Sequence, residues 1–405
     1  MSKRSRTQKD LTRLVHAGRE PARHHGFVNT PIYRGSTILF PTLEALEANA
    51  QDFTYGRLGT PTVRALEEAI AELEGGQRTL LTPSGLSAIA TSLLAFLAAG
   101  DEVLVSDSVY RPTRRFCDSV LKRLGVKTIY YDPLIGAGIE KLITKKTKVV
   151  FTESPGSQTF EVQDIPAIAK AAHAAGAVVI LDNTWATPLF FKPFAHGADV
   201  SIQAATKYIG GHADIMLGSV TMNERTNLAV AKTHEDLGLC TGPEDVYLGL
   251  RGLRSLGVRL DRHQRSALEM ARWLAARPEV ARAIHPGLPS DSGHTIWKRD
   301  FTGASGLFSI VLKPVAHERL AAMLDGLSLF GMGYSWGGFE SLILPFDPKD
   351  YRSATEWQAE GSALRLHIGL EDVDDLKADL DAGFARLAAR GLVVPAQKED
   401  PGHGF

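Results

Sequence analysis

The segment Asp199-Val-Ser-Ile-Gln-Ala-Ala-Thr-Lys-Tyr-Ile-Gly-Gly-His212 places Lys207 behind a short strand-like run and ahead of a Gly-Gly pair that permits close approach of backbone or ligand. Lysine forms Schiff bases with carbonyl cofactors when partial burial keeps its amine unprotonated. Taken alone, the segment also reads as a loop with a surface lysine. Val178-Val-Ile-Leu181 is a continuous apolar run, as a buried central strand requires, and it leads into Asp182-Asn183-Thr184-Trp185. A carboxylate is costly to bury without a cation, and the pyridinium nitrogen of pyridoxal 5'-phosphate (PLP) is such a cation. Capping of a following helix explains Asp182 as well. Thr82-Pro83-Ser84-Gly85-Leu86-Ser87 joins a strand to an Ala-rich helix, where amides freed by Gly85 suit a phosphate or serve an ordinary turn. Tyr110 follows the run Val103–Ser106, placed to stack on a planar cofactor or to pack in the core. The four together, at strand-loop positions of one sheet, point to a PLP site.

The elements that must carry these residues emerge from periodicity. Arg78–Thr82, Val103–Ser106, Lys148–Thr152, Val178–Leu181 and Val200–Gln203 read as strands, and Ser87–Ala99, Thr113–Leu124 and Ile165–Ala175 as helices. That alternation implies βαβ units and a largely parallel sheet, with ligands bound beyond the carboxyl ends of its strands. After Gly257 a helical pattern runs to about Ala276, followed by strands near Leu307–Leu312 and Ala363–Ile368. The expected organisation is an N-terminal arm over residues 1–60 that reaches a neighbouring subunit, a large α/β/α domain over 61–257 and a smaller α+β domain over 258–405. The last ten residues, from Ala396, read as a loose polar tail.

Composition narrows the function classes. The chain has 405 residues with 45 Lys plus Arg against 46 Asp plus Glu, a net charge of −1, so no single-sign field exists to draw nucleic acid or anionic lipid. Two cysteines, Cys117 and Cys240, are too few for a disulfide framework and fit a reducing, cytoplasmic setting. The basic N-terminal residues lack a following apolar region, which argues against a secretory signal, and no apolar run is long enough to span a membrane. The 13 histidines show no H-E-x-x-H or similar spacing, so no metal site is expected.

Thr206-Lys-Tyr-Ile-Gly-Gly-His212, with Asp182 upstream, resembles the signature of the Cys/Met-metabolism family of PLP enzymes. The resemblance extends to Tyr55-Gly-Arg57, Pro61-Thr62, Ser84-Gly85, Glu153-Ser-Pro155, Arg251-Gly-Leu253, Arg365 and Gly369-Leu-Glu-Asp372. Glu153-Ser-Pro-Gly-Ser157, Trp297-Lys-Arg-Asp-Phe-Thr-Gly303 and Tyr334-Ser-Trp-Gly-Gly-Phe-Glu-Ser341 look like its bacterial cystathionine β-lyase branch. Two departures stand out, Ala213 after the Gly-His pair and Gly156-Ser157-Gln158 after Glu-Ser-Pro.

The resemblance implies the PLP-dependent aminotransferase-like fold and assigns roles. Lys207 would hold the cofactor as a Schiff base and act as general base, Asp182 would meet the ring nitrogen and Tyr110 the ring face. Gly85, Leu86 and Thr206 would bind the phosphate, joined by Tyr55 and Arg57 from a neighbouring subunit. Arg365 would clamp the substrate α-carboxylate, with Ser335 and Trp336 on the substrate side. The implied reaction is α,β-elimination from L-cystathionine to homocysteine, pyruvate and ammonia, in a dimer with shared sites that assembles into a homotetramer. Lys207 and Tyr110 are both open as proton donor to the departing sulfur. A cystathionine γ-lyase or γ-synthase is the competing reading within the family. From another class, Gly333-Tyr-Ser335-Trp-Gly337 fits the G-x-S-x-G elbow of serine hydrolases, which needs a helix directly after it.

Overall fold

Runs that are apolar on both faces, each succeeded by a segment long enough to cross over, assemble into one sheet in the first half of the chain. Its strands are β1 (Arg78–Thr82), β2 (Glu102–Ser106), β3 (Lys127–Tyr131), β4 (Thr147–Glu153), β5 (Val178–Asp182), β6 (Val200–Gln203) and β7 (Gly218–Met222). In the computed structural model, which describes residues 8–388, they lie in the order β1-β7-β6-β5-β4-β2-β3. β7 is antiparallel to both neighbours and every other pair is parallel, so the carboxyl ends of β1, β2, β4, β5 and β6 share one edge. The residues up to 7 and the tail from Ala396 lie outside the described residues.

Two strands of this sheet escape the sequence reading, as do Val280–Ile284 and Leu342–Phe346 of the smaller domain. β3 lies at the sheet edge and begins on the exposed Lys127, which weakens its apolar pattern. β7 opens on Gly218, whose missing Cβ would fall 2.3 Å from the Ser84 carbonyl oxygen, a constraint only the folded chain reveals. The helix expected at Ser87–Ala99 spans Gly85–Leu94, starting where the Ser84 hydroxyl accepts the Ser87 amide at 3.1 Å. The helix expected at Thr113–Leu124 begins at Arg111 and continues through a wider π-helical stretch over Cys117–Leu121.

A 33-residue helix, Pro243–Ala275, connects this sheet to a second layer and starts well before the expected Gly257. Gly249, Gly252 and Gly257 hide its first half from propensity. Gly252 is needed because a Cβ there would sit 2.3 Å from the carbonyl oxygens of Ile209 and Gly210, just beyond Lys207. The second sheet, antiparallel throughout, comprises β8 (Val280–Ile284), β9 (Leu307–Leu312), β10 (Leu342–Phe346) and β11 (Ala363–His367) in the order β10-β11-β9-β8. Phe308, Leu364, Leu366 and Phe384 belong to its core, closed by the helix Val373–Ala388.

The first sixty residues are less extended than their composition suggests. Asp10–His16 is helical and buries Leu14, anchored where the Arg254 guanidinium donates to the carbonyls of Leu14 at 2.6 Å and Ala17 at 2.9 Å. Beyond it apolar side chains face outward, with Phe27 67%, Leu39 84% and Leu43 68% exposed.

Candidate active site

The strand-end edge of the first sheet faces the second sheet across a cavity of about 490 Å³, a volume suited to a small-molecule ligand. Gly85, Leu86, Tyr110, Glu153, Asp182, Thr206 and Lys207 line it from the large sheet, and Leu307, Tyr334, Ser335, Trp336 and Arg365 from the other side. Nine of the eleven residues singled out from sequence are thus brought together.

Lys207 stands in a tight turn after β6, in which its amide donates to the Ala204 carbonyl at 2.9 Å and Gly211 donates back to Lys207 at 2.7 Å. Gly211 has φ +73° and packs against the Arg259 guanidinium, which donates to Tyr208 O at 2.7 Å and Gly252 O at 2.7 Å. The Gly-Gly pair therefore seats the lysine turn on the long helix. The Lys207 amine donates to the Ser335 hydroxyl at 2.6 Å and lies 5.4 Å from the Trp336 ring centroid. Burial and the nearby Arg365 lower its pKa to about 8, against the opposing pull of Asp182.

Asp182 ends β5 directly beside Glu153, its register partner at the end of β4. One Asp182 oxygen accepts from the Thr184 amide at 3.0 Å and hydroxyl at 2.5 Å. Burial raises the Asp182 pKa, and these bonds with Lys207 oppose it. Glu153 has less help. Burial and the Asp182 charge push its pKa well above the usual range, with one bond in compensation, from the Tyr110 amide at 2.7 Å. The two adjacent carboxyls thus differ, with the upward pull on Glu153 the stronger and that on Asp182 opposed by the Thr184 bonds and Lys207. Tyr110 is 43% exposed, and its hydroxyl is held protonated by burial and by the charges of Glu153 and Asp182.

The Thr206 hydroxyl is engaged with its own turn, donating to Leu217 O at 3.1 Å and accepting from Leu217 N at 2.9 Å. A phosphate would therefore have to exchange with the Leu217 carbonyl for that proton. On the opposite wall Arg365 stands inside β11, 9% exposed, and donates to the Ser335 carbonyl at 2.9 Å, while its Nε is buried without a hydrogen-bond partner. Ser335 has φ +78°, a strained conformation for a residue with a Cβ. The chain beyond Ser335 runs extended into β10 and forms no helix, and the Ser335 hydroxyl meets Lys207, so the hydrolase elbow is ruled out.

Tyr55 and Arg57 do not reach this cavity within one chain. Arg57 lines a separate cleft beside Glu67 and His234, where its guanidinium donates to the Glu235 carbonyl at 3.2 Å. Sequence reasoning missed Thr184 as the partner of Asp182, which the Asp-x-Thr spacing of an Asx turn signals. It also assigned no role to Glu153 and did not pair Ser335 with Lys207, a contact across 128 residues of sequence.

Residues 11–385 match the family model described as Cys/Met metabolism PLP-dependent enzyme. The chain belongs to that family. Among its relatives is a cystathionine β-lyase of Escherichia coli, 49% identical over 388 residues, 93% of this chain and 98% of the relative. Another is an L-alanine/L-glutamate racemase of Wolbachia pipientis, 40% identical over 395 residues, 94% of this chain and 98% of the relative. The solved structure of metB from Corynebacterium glutamicum matches with a TM-score of 0.87 at 30% identity, covering 95% of this chain and 99% of that one. The fold is accordingly that of the family, a mostly parallel α/β/α domain with a smaller α+β domain.

The residues present fit PLP. Asp182 is a buried carboxylate with no ion-pair partner among the described residues, as a site for a cationic ring nitrogen requires. Lys207 is a desolvated amine beside it, and the start of the Gly85–Leu94 helix borders the same cavity. Among the described residues no helix is long and apolar enough to cross a membrane, and no cluster of His, Cys, Asp and Glu forms a metal site.

Proposed function

We propose that this chain is a carbon–sulfur β-lyase that converts L-cystathionine and water into homocysteine, pyruvate and ammonia. One observation carries the reading: a lysine amine with its pKa lowered to about 8 shares one cavity with a buried aspartate and a buried arginine. PLP, when bound, supplies an electron sink conjugated to the substrate α-carbon. Asp182 would keep the proton on the ring nitrogen, Tyr110 would cover the ring, and Gly85, Leu86 and Thr206 would hold the phosphate. Arg365 grips the α-carboxylate through its planar fork, which aims the α-hydrogen at Lys207.

Lys207 Nζ then removes the α-proton as general base. The Cβ–S bond breaks with its electron pair leaving on sulfur, which takes a proton from Lys207 Nζ or from the Tyr110 hydroxyl. Water converts the remaining three-carbon fragment to pyruvate and ammonia. Because the base form of Lys207 fills in as pH rises through about 8, the rate should rise over the same interval.

The working form is a homodimer in the cytoplasm, two of which pair as a tetramer. Supporting this, Tyr55 and Arg57 stand apart from their own Lys207, on an arm rich in outward apolar side chains. The two residues would complete the phosphate site of a second copy. Product analysis separates the neighbouring activities. Pyruvate with homocysteine is expected from L-cystathionine; 2-oxobutyrate with cysteine would move the reading to a γ-lyase, and D-alanine from L-alanine without thiol release to a racemase.

A further inference from the structure

β11 turns two side chains to one face, Arg365 and His367, and both grip the turn that carries Ser335. Arg365 donates to the Ser335 carbonyl at 2.9 Å, and the Gly337 amide donates to His367 Nε2 at 3.2 Å. The turn is strained at Ser335, with φ +78°, so something must over-determine it. It also lies directly on the lysine: a Cβ added to Gly337 would fall 3.0 Å from Tyr208 N and 3.1 Å from Lys207 Cα.

His367 is fully buried and polar where an apolar ring would be cheaper. Its Nε2 also lies 3.2 Å from the Gly338 carbonyl oxygen, so the ring meets the turn at the Gly337 amide in one tautomer and at the Gly338 carbonyl in the other, while Nδ1 has no hydrogen-bond partner. His263 behind it donates Nδ1 to Ile368 O at 2.8 Å and leaves its own Nε2 unpaired, the rings 5.2 Å apart. Tyr208 completes the box, 5.3 Å from His263 and 5.9 Å from His367. A buried ring nitrogen left unpaired is a standing cost, tolerated where the other nitrogen of the same ring does necessary work.

We infer that His367 is a positioning residue: by holding the Gly337–Gly338 backbone through Nε2 it locks the Ser335–Gly337 turn over Lys207 and keeps the lysine amine on the Ser335 hydroxyl. This rests on Lys207 being the cofactor lysine and base. His367 is neutral in this role, since burial with His263, Arg365 and Lys207 around it holds its pKa well below that of an ordinary imidazole. The charged and titratable groups bearing on Lys207 are Arg365 from β11, Asp182 from β5 and, beside Asp182, Glu153 from β4 and Tyr110; His367 touches none of their hydrogen bonds directly. A loosened turn exposes the Lys207 amine to water and returns its pKa toward that of an ordinary lysine.

Two substitutions pull in opposite directions. His367→Phe keeps the ring and loses the polar contact with Gly337 and Gly338, whereas His367→Gln gives up the ring and keeps an amide group that can meet the Gly337 amide or the Gly338 carbonyl. For each holoenzyme the kcat–pH profile is measured; after cofactor removal, the rate of PLP recapture against pH is followed by visible absorbance, since only the unprotonated lysine reacts. The expected result is a midpoint near 8 for wild type and His367→Gln, and a midpoint about one unit higher for His367→Phe, with roughly tenfold less free amine at neutral pH and kcat falling more than KM changes. A wild-type midpoint in His367→Phe would overturn the inference. So would loss of folding or cofactor capture in His367→Gln alone, which would make the ring a packing element. Failure of the lyase reading shows elsewhere, as normal cofactor recapture by wild type without pyruvate from cystathionine.

Discussion

On the large-sheet wall, Asp182, Lys207 and Tyr110 each stand at or just past a strand end; Asp182 is held by Thr184 and the Lys207 turn by Ala204 at short range, while the Tyr110 amide is tied to Glu153 on the neighbouring strand. On the facing wall, Arg365 lies inside β11 between β9 and β10, and Ser335 and Trp336 ride on a turn that β11 side chains hold in place. Asp182 and Lys207 are set first by the chain just around them, Arg365 and Ser335 by contacts across about thirty residues of sequence. Proton transfer therefore sits mainly on the wall of strand ends, and substrate recognition on the wall that one turn completes.

Removing groups wall by wall tests that division, with the largest effect expected on the large sheet. Lys207→Ala should lower kcat by about 10⁴-fold and abolish the visible band of bound cofactor, read by turnover and absorbance. Asp182→Asn should keep the cofactor bound but cost about 10²–10³-fold in kcat, because a neutral partner no longer holds the ring proton. On the other wall Arg365→Gln should cost about 10²-fold in kcat/KM, mostly through KM, with the cofactor band intact. An Arg365 variant that lost kcat as severely as Lys207→Ala would erase the distinction between the walls. Arg57→Gln should weaken cofactor retention by about tenfold in dialysis, through a site on a second copy. The smallest effect belongs to Glu153→Gln, within about threefold of wild type in kcat at neutral pH, since burial and the Asp182 charge already favour the uncharged carboxyl.

The same division explains what the sequence discloses. Asp182 and Lys207 come after short strands whose apolar runs are continuous, and Gly85 opens a helix after a third, so position and chemistry coincide locally. β7 and the first half of the long helix stay hidden because their glycines satisfy contacts with Ser84 and with Ile209 and Gly210, partners remote in sequence. Arg365 reads as an ordinary strand arginine until the family resemblance is considered, and His367 gives no local signal, since its partner is an amide thirty residues upstream. The fate of Glu153 is equally invisible, because its proton depends on register with Asp182 in the neighbouring strand.

Lys207 as a cofactor-bound base acting in β-elimination is tested most directly by one cuvette. The visible spectrum of the purified protein is recorded before and after addition of L-cystathionine, with pyruvate and free thiol assayed in the same sample. A yellow cofactor band, with pyruvate and homocysteine formed in equal amounts, is the expected result. The same band with 2-oxobutyrate in place of pyruvate, or no band even after added PLP, would contradict it.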